Sequence, residues 1–233
     1  MTILAIDTSM SACSAAILQD GASVAVQHFE PMTRGHAEAL FPMVEAAMSE
    51  AGCGFDALSA IAVTIGPGSF TGVRAGLAAA RGFALAAKVP MIGVGSLEVM
   101  ALKCVRERTG AEADGDFAIV HDARRDEAYV QCFNADARPL ADPQILPLTR
   151  IASELSASIN AAYGSGAALL AEHAEASGRT IRAGLPGLLP DAATLAVLAA
   201  GRQPSEHPPG PLYLRPPDAK PQTGRSLERV SAS

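Results

Sequence analysis

The chain has 233 residues, 49% apolar and 18% charged, with a formal net charge of −6. That size and composition suit one large domain or two modest ones, each with its own buried core. The acidic balance argues against a broad basic face that holds nucleic acid unaided, and 4% aromatic residues with no Trp leave little to stack bases on.

Four cysteines, Cys13, Cys53, Cys104 and Cys132, form no CxxC pair and have no metal-ligand spacing, so small buried thiols in a reducing compartment are expected. The first residues, MTILAIDTS, carry no basic leader and reach Asp7 after a short apolar run, unlike a signal peptide. No charge-free apolar run of about 18 residues occurs, and a soluble cytoplasmic protein is expected.

Residues 2–6, 12–18 and 23–29 read as three antiparallel strands, with Asp20-Gly21 as a hairpin turn. Asp7-Thr8-Ser9 closes the first strand. An Asp beside two hydroxyls either orients a water or magnesium ion next to phosphates or forms a turn that satisfies its own backbone. From residue 36 to 51 the period becomes helical, with Leu40, Val44 and Met48 on one face and Pro42 predicted to bend the helix.

Residues 59–65, SAIAVTI, read as a buried strand, and Gly66-Pro67-Gly68-Ser69-Phe70-Thr71-Gly72-Val73-Arg74 follows. The two glycines permit either unusual φ angles or close backbone contacts, and Thr71 is placed to cap the helix read over 75–88. Such a helix start attracts an anion, so Asp7, Thr8, Ser9, Gly66, Gly68, Ser69 and Thr71 are candidate nucleotide-facing residues. The competing reading is a tight turn that packs a helix closely on its sheet. In that helix Gly72, Gly76 and Ala80 recur every fourth residue, with Phe83 nearby, so another backbone can approach closely, either within the chain or from another subunit. Arg74, Arg81 and Lys88 lie on a different side.

Residues 91–94 read as a strand parallel to 59–65, and Ser96 as the cap of a helix over 97–108. A polar linker over 109–115 precedes strands at 116–121 and 128–133, a helix at 149–158, a short strand at 161–163, a Gly164-Ser165-Gly166 turn into another helix, and a last helix at 189–200 with Asp191 in its first turn. Seven prolines then crowd residues 204–221, predicting a tail laid over the surface and anchored by Tyr213 and Leu214, with disorder from Lys220 onward. This predicts an amino-terminal lobe over 1–108, a carboxy-terminal lobe over 109–201 and a tail over 202–233. No strong internal sequence repeat relates the lobes.

The five histidines form no HExxH or HxxxH pair, Ser69 is not in a GxSxG elbow, and the Gly66 loop lacks the Lys-Ser/Thr ending of a P-loop. Asp122, Asp126 and Glu127 read as solvated turn residues. No catalytic set and no metal site are predicted.

GPGSFTGVR at 66–74, ILAIDTS at 3–9, RGHAEALFP at 34–42, PMIGVGSL at 90–97, DARRDEAY at 122–129 and PLYLR at 211–215 together resemble the TsaB (YeaZ) family through most of the chain. That resemblance implies an α/β, actin-like and sugar-kinase-like (ASKHA, ribonuclease H-like) fold with two related lobes of mixed sheet flanked by helices. It implies a non-catalytic subunit that pairs with a TsaD-like transferase in forming N6-threonylcarbamoyladenosine at position 37 of tRNAs reading ANN codons. A TsaE-like ATPase and a TsaC-like adenylate synthase complete that set, with tRNA as the substrate of the complex and a homodimer when the partner is absent. The helices carrying Leu40, Val44, Met48, Gly72, Gly76, Ala80 and Phe83 correspond to the family's pairing surface, which predicts that Gly76→Glu abolishes pairing and spares the fold. No cofactor is firmly implied; ATP or ADP fits a degenerate site or the complex. The superfamily's phosphate-turn glycine is missing from Asp7-Thr8-Ser9. The alternative is a small ATPase or carbohydrate kinase of the same fold, with Asp7 as its acid.

Overall fold

A computed structural model describes residues 1–19, 23–108, 115–204 and 206–215. The expected Asp20-Gly21 turn, most of the 109–115 linker and the chain beyond Arg215, including the disorder expected from Lys220, lie outside the described residues.

The first lobe is a five-stranded sheet. Strands β1 (Ile3–Asp7), β2 (Ala12–Gln19) and β3 (Ser23–Pro31) form an antiparallel meander, and β4 (Ala60–Thr64) and β5 (Met91–Val94) add in parallel beyond β1, giving the order β3-β2-β1-β4-β5. Helix α1 (His36–Glu50) links β3 to β4 and runs on through Pro42, and α2 (Phe70–Ala87) links β4 to β5. The second lobe repeats the plan. Strands β6 (Phe117–Asp122), β7 (Glu127–Phe133) and β8 (Gln144–Pro147) form the meander, with β9 (Ala161–Tyr163) and β10 (Arg182–Gly184) parallel beyond β6. Helices α4 (Leu148–Glu154) and α5 (Ala167–Ala176) take the places of α1 and α2. The two lobes thus repeat one strand plan, the two related lobes of mixed sheet that the resemblance implies. Strands β8 and β10, which the sequence patterns do not reveal, have no fully buried residue, unlike the equally short β5 and β9, so no buried apolar run marks them.

Two helices cross between the lobes. Helix α3 (Ser96–Glu107) follows β5, yet its Leu97, Met100, Ala101 and Cys104 pack with Phe117, Ile119 and Phe133 of the second sheet. Helix α6 (Ala192–Ala200) follows β10 and packs across β1, β2 and β3 of the first sheet. The sequence reading grouped this helix with the second lobe; its packing partners lie in the first. Strand alternation sets the two faces of that sheet. Leu4, Ile6, Ile61 and Val63 face α1 and α2, whereas Ile3, Ala5, Ala60 and Ala62 face α6. The small side chains on that second face let the Ala-rich α6 seat closely, and β1, buried on both faces, reads as a continuous apolar run.

Candidate functional site

The Gly66–Arg74 stretch joins β4 to α2 and rests on the turn that ends β1. Its two leading glycines serve different purposes. Gly66 has φ 103°, which only glycine adopts freely. At Gly68 a Cβ would lie 2.1 Å from the Ser9 carbonyl oxygen, so close approach is the reason there. The Ser69 amide donates to that same oxygen at 2.7 Å. Helix α2 begins earlier than expected, at Phe70, and Ser69 rather than Thr71 is its cap, its Oγ accepting from the Gly72 amide at 3.3 Å. A Cβ on Gly72 would lie 2.1 Å from the Thr8 carbonyl, and Thr8 Oγ1 donates back to the Gly72 carbonyl at 2.7 Å. The helix start expected to attract an anion therefore clasps the Asp7-Thr8-Ser9 backbone. Thr71 is exposed.

Beneath the clasp Asp7 is fully buried. Its Oδ1 accepts from the Ser9 amide at 3.1 Å, Ser9 Oγ at 2.6 Å and Thr64 Oγ1, while Oδ2 has no partner among the described residues. Ser96 Oγ donates to Ser9 Oγ at 2.9 Å, and the Ser96 amide to the Gly66 carbonyl at 2.8 Å. Ser96 is thus engaged here rather than capping α3, whose cap is Gly95, with the Glu98 carboxylate accepting from the Gly95 amide at 3.2 Å. Burial pushes the Asp7 carboxyl from 3.8 up to about 6; the Ser9 and Thr64 hydrogen bonds oppose the rise, and Asp191 adds to it. The result is a polar hub tying β1, β4, α2 and α3 together. Thr64 is not singled out in the sequence and Ser96 is read there only as a cap, because a strand-end Thr and a helix-start Ser have ordinary local roles.

The second lobe mirrors this junction. Gly164 has φ 110°, and a Cβ there would lie 2.6 Å from the Val120 carbonyl; one on Gly166 would lie 3.2 Å from the Asp122 amide. Gly-x-Gly after β9 presses on the end of β6 as Gly-x-Gly after β4 presses on the end of β1. Ser165 Oγ accepts from the Asp122 amide at 3.0 Å and lies 3.1 Å from His121 Nδ1. Burial lowers the His121 pKa against the opposing charge of Asp122, which favours the neutral ring near neutrality. Asp122 Oδ1 accepts from the Arg124 amide at 2.7 Å, and Glu127 pairs with Arg215, so the acidic turn residues are only partly solvated. Among the described residues no cluster of three His, Cys, Asp or Glu side chains could hold a metal ion.

Between the lobes lies a cleft of about 660 Å³, lined by Met10, His36, Gly68, His121, Tyr129 and Arg215 among others. Residues 209–215 cross its edge. The Leu212 amide donates to the Ile65 carbonyl at 2.7 Å, Arg81 donates to the Pro209 carbonyl at 3.2 Å, and Arg74 Nε donates to Tyr213 Oη at 2.6 Å while lying 3.7 Å over the Phe70 ring. Tyr213 anchors this strap as expected. The basic side of α2 is what receives it, a partnership that the seven-residue Arg spacing did not disclose.

Leu40, Val44, Met48, Gly72, Gly76, Ala80 and Phe83 are all buried within the chain. A Cβ at Gly76 would lie 2.6 Å from Thr8 Oγ1, so Gly76→Glu strikes the fold itself, contrary to the expectation that it would spare it. The small-residue face of α2 serves its own sheet. Among the exposed residues of α1 and α2 are large apolar ones: Phe41 is 57% and Leu85 81% accessible, and Phe41 and Phe55 pack on Phe83 with ring centroids 5.3 and 5.7 Å apart.

The family model described as TsaD, tRNA N6-adenosine threonylcarbamoyltransferase, matches residues 30–165. The tRNA threonylcarbamoyladenosine biosynthesis protein TsaB of Escherichia coli is 43% identical over 129 residues, 55% of this chain and 53% of that protein. The match thus spans about half the length of that relative. An uncharacterized protein of Mycobacterium tuberculosis is 33% identical over 94% of each chain. Two solved structures align along nearly the whole chain. YeaZ from Pseudomonas aeruginosa has a TM-score of 0.72 at 34% identity, covering 85% of this chain and 90% of that one. A protein described as similar to peptidase YeaZ from Pseudomonas aeruginosa has a TM-score of 0.76 at 32% identity, covering 92% and 99%.

Proposed function

The chain belongs to the TsaB/YeaZ family, and we propose on that premise that it is the non-catalytic partner of a TsaD-like transferase in N6-threonylcarbamoyladenosine formation on tRNA. The observation that carries the non-catalytic part is the state of Asp7. A carboxylate that activates water or a hydroxyl must reach the reacting group, and Asp7 lies under the Gly68–Gly72 clasp with one oxygen fully engaged. Asp7 is the acid on which the phosphoryl-transfer alternative relies.

The pairing surface in this reading is the outer side of α1 and α2, with Phe41, Phe55 and Leu85 as its apolar centre. The buried Leu40, Val44, Met48, Gly72, Gly76, Ala80 and Phe83 shape it from beneath. Exposed aromatic side chains of this kind supply the anchors of stable interfaces. TsaE-like and TsaC-like proteins act with the pair, tRNA is the substrate of the assembly, and the setting is cytoplasmic. No described helix is long and apolar enough to cross a membrane.

The test is reconstitution with cognate TsaD-, TsaC- and TsaE-like proteins, tRNA, threonine, bicarbonate and ATP, with and without this chain. Modification that requires this chain, together with no transfer by it alone, is the expected result. Unchanged modification when it is omitted from an otherwise active mixture overturns the proposal.

A further inference from the structure

Residues 124–126 are three consecutive non-glycine residues in the left-handed region: Arg124 at φ 66°, Arg125 at 62° and Asp126 at 58°. Side chains disfavour that region at each position, so such a run persists only where its surroundings impose it. Within the turn the Arg124 amide donates to Asp122 Oδ1 at 2.7 Å. The Glu127 amide donates to the Arg124 carbonyl at a long 3.3 Å, the Ala123 amide to the Glu127 carbonyl at 2.9 Å, and the Leu148 amide to the Asp126 carbonyl at 2.9 Å.

One side chain gathers the rest. Arg215 Nη2 donates to Glu127 Oε2 at 2.6 Å and to the Ala123 carbonyl at 3.0 Å, with the Arg124 carbonyl 3.5 Å away. The charged donor draws together carbonyls that the left-handed turn brings close, and its pairing with Glu127 is half-buried rather than fully solvated. The strap that carries Arg215 is held on the first lobe at several points: Pro209, Leu212 and Tyr213. Its polar hold on the second lobe is Arg215. Among the described residues the lobes are also joined through the crossing helices α3 and α6, where Lys103 of α3 pairs with Asp191 at 3.0 Å, and through Met10, which packs with the core of the second lobe.

We propose that Arg215 is a latch: it fastens the 209–215 strap to the second lobe, imposes the left-handed 124–126 turn and keeps the edge of the inter-lobe cleft closed. Release of this side chain frees the turn to relax and opens the cleft, while the first lobe keeps its structure. This inference concerns the motion of the chain and does not depend on the proposed role in tRNA modification.

Hydrogen exchange on the full chain, comparing wild type with Arg215→Ala, tests it. The amides of Ala123, Glu127 and Leu148 are expected to exchange at least about tenfold faster in the variant, with β1 and β4 amides within about twofold of wild type. Met10, buried at the cleft, is expected to oxidise several-fold faster in dilute peroxide. Unchanged exchange at the three turn amides overturns the latch, and faster exchange there with unchanged Met10 oxidation overturns its control of the cleft. If Arg215→Ala loosens the β1 amides as well, Glu127→Gln decides. It weakens the same charged pair and leaves the strap intact, so a local rise at the turn supports the latch and no rise overturns it.

Discussion

Replacing Asp7 by Asn isolates the energetic consequence of burying a carboxyl group under the α2 clasp. The folded-state pKa of about 6 lies above the unfolded value of 3.8 because burial disfavours the charged form. In that interval the native state holds a proton that the unfolded state has released, so stability falls as pH rises. The contribution is full below the unfolded value and is lost as pH passes through about 6. The whole gap is worth about 3 kcal/mol, of which roughly 1 kcal/mol disappears between pH 5 and pH 7. Cys13, pushed up to about 12 chiefly by burial, stays neutral throughout and adds no slope.

Asn keeps the Oδ1 acceptor for Ser9 and Thr64 and places an uncharged amide where Oδ2 lacks a partner. The unpaired amide costs about 1–3 kcal/mol, and that cost is the same at every pH in the interval. The informative quantity is therefore the difference between variant and wild type at two pH values. Urea titrations followed by circular dichroism should show the Asn variant gaining roughly 1 kcal/mol on the wild type from pH 5 to pH 7. A difference that stays constant, or shifts the other way, refutes the assignment of a raised pKa to this carboxyl and with it the picture of a sealed hub.

Three further outcomes are expected. Gly68→Ala and Gly72→Ala each drive a Cβ into a backbone carbonyl and should cost about 3 kcal/mol, whereas Gly82→Ala, with nothing within 4 Å of its Cβ, should gain about 0.5–1 kcal/mol; equal effects at all three in urea titrations refute the clasp. Leu85→Asp should weaken pairing with a TsaD-like subunit by about tenfold or more, measured by calorimetry, and leave the melting temperature within about 2 °C; undiminished pairing removes Leu85 from the surface. Asp191→Asn should keep the α6 cap that Asp191→Ala loses, a difference of about 1 kcal/mol in denaturation, and should lower the Asp7 pKa by removing a neighbouring negative charge; an unchanged Asp7 titration contradicts the coupling.

Much of the first lobe was legible in the sequence. Its three meander strands, the helix over Leu40 and Met48, the parallel strands around residues 60 and 91 and the glycine-rich junction all appear where the patterns place them. Local signals suffice there, because alternation, helical spacing and glycine between a strand and a helix act over a few residues. Caps were misread where a hydroxyl had a distant use: Ser96 turns toward Ser9 and Gly66, 87 and 30 positions away, and leaves the cap to Gly95.

Which way each face looks was decided only by the tertiary structure. Helix α2 is apolar or small around most of its circumference, so its period could not say whether Gly72, Gly76 and Ala80 met the chain's own sheet or another subunit. The answer lies in Thr8, brought against Gly72 and Gly76 by the pairing of β1 with β4. Helix α6 likewise carries no sequence mark of the sheet it covers, and the lobes repeat their strand order with different side chains. Sequence by itself determined most of the elements, the glycine junction and the family, because these depend on neighbours along the chain. Burial of Asp7, the exposed face of α1 and α2, and the Arg215 contact depend on residues brought together from remote positions, and only the packed chain assigns them.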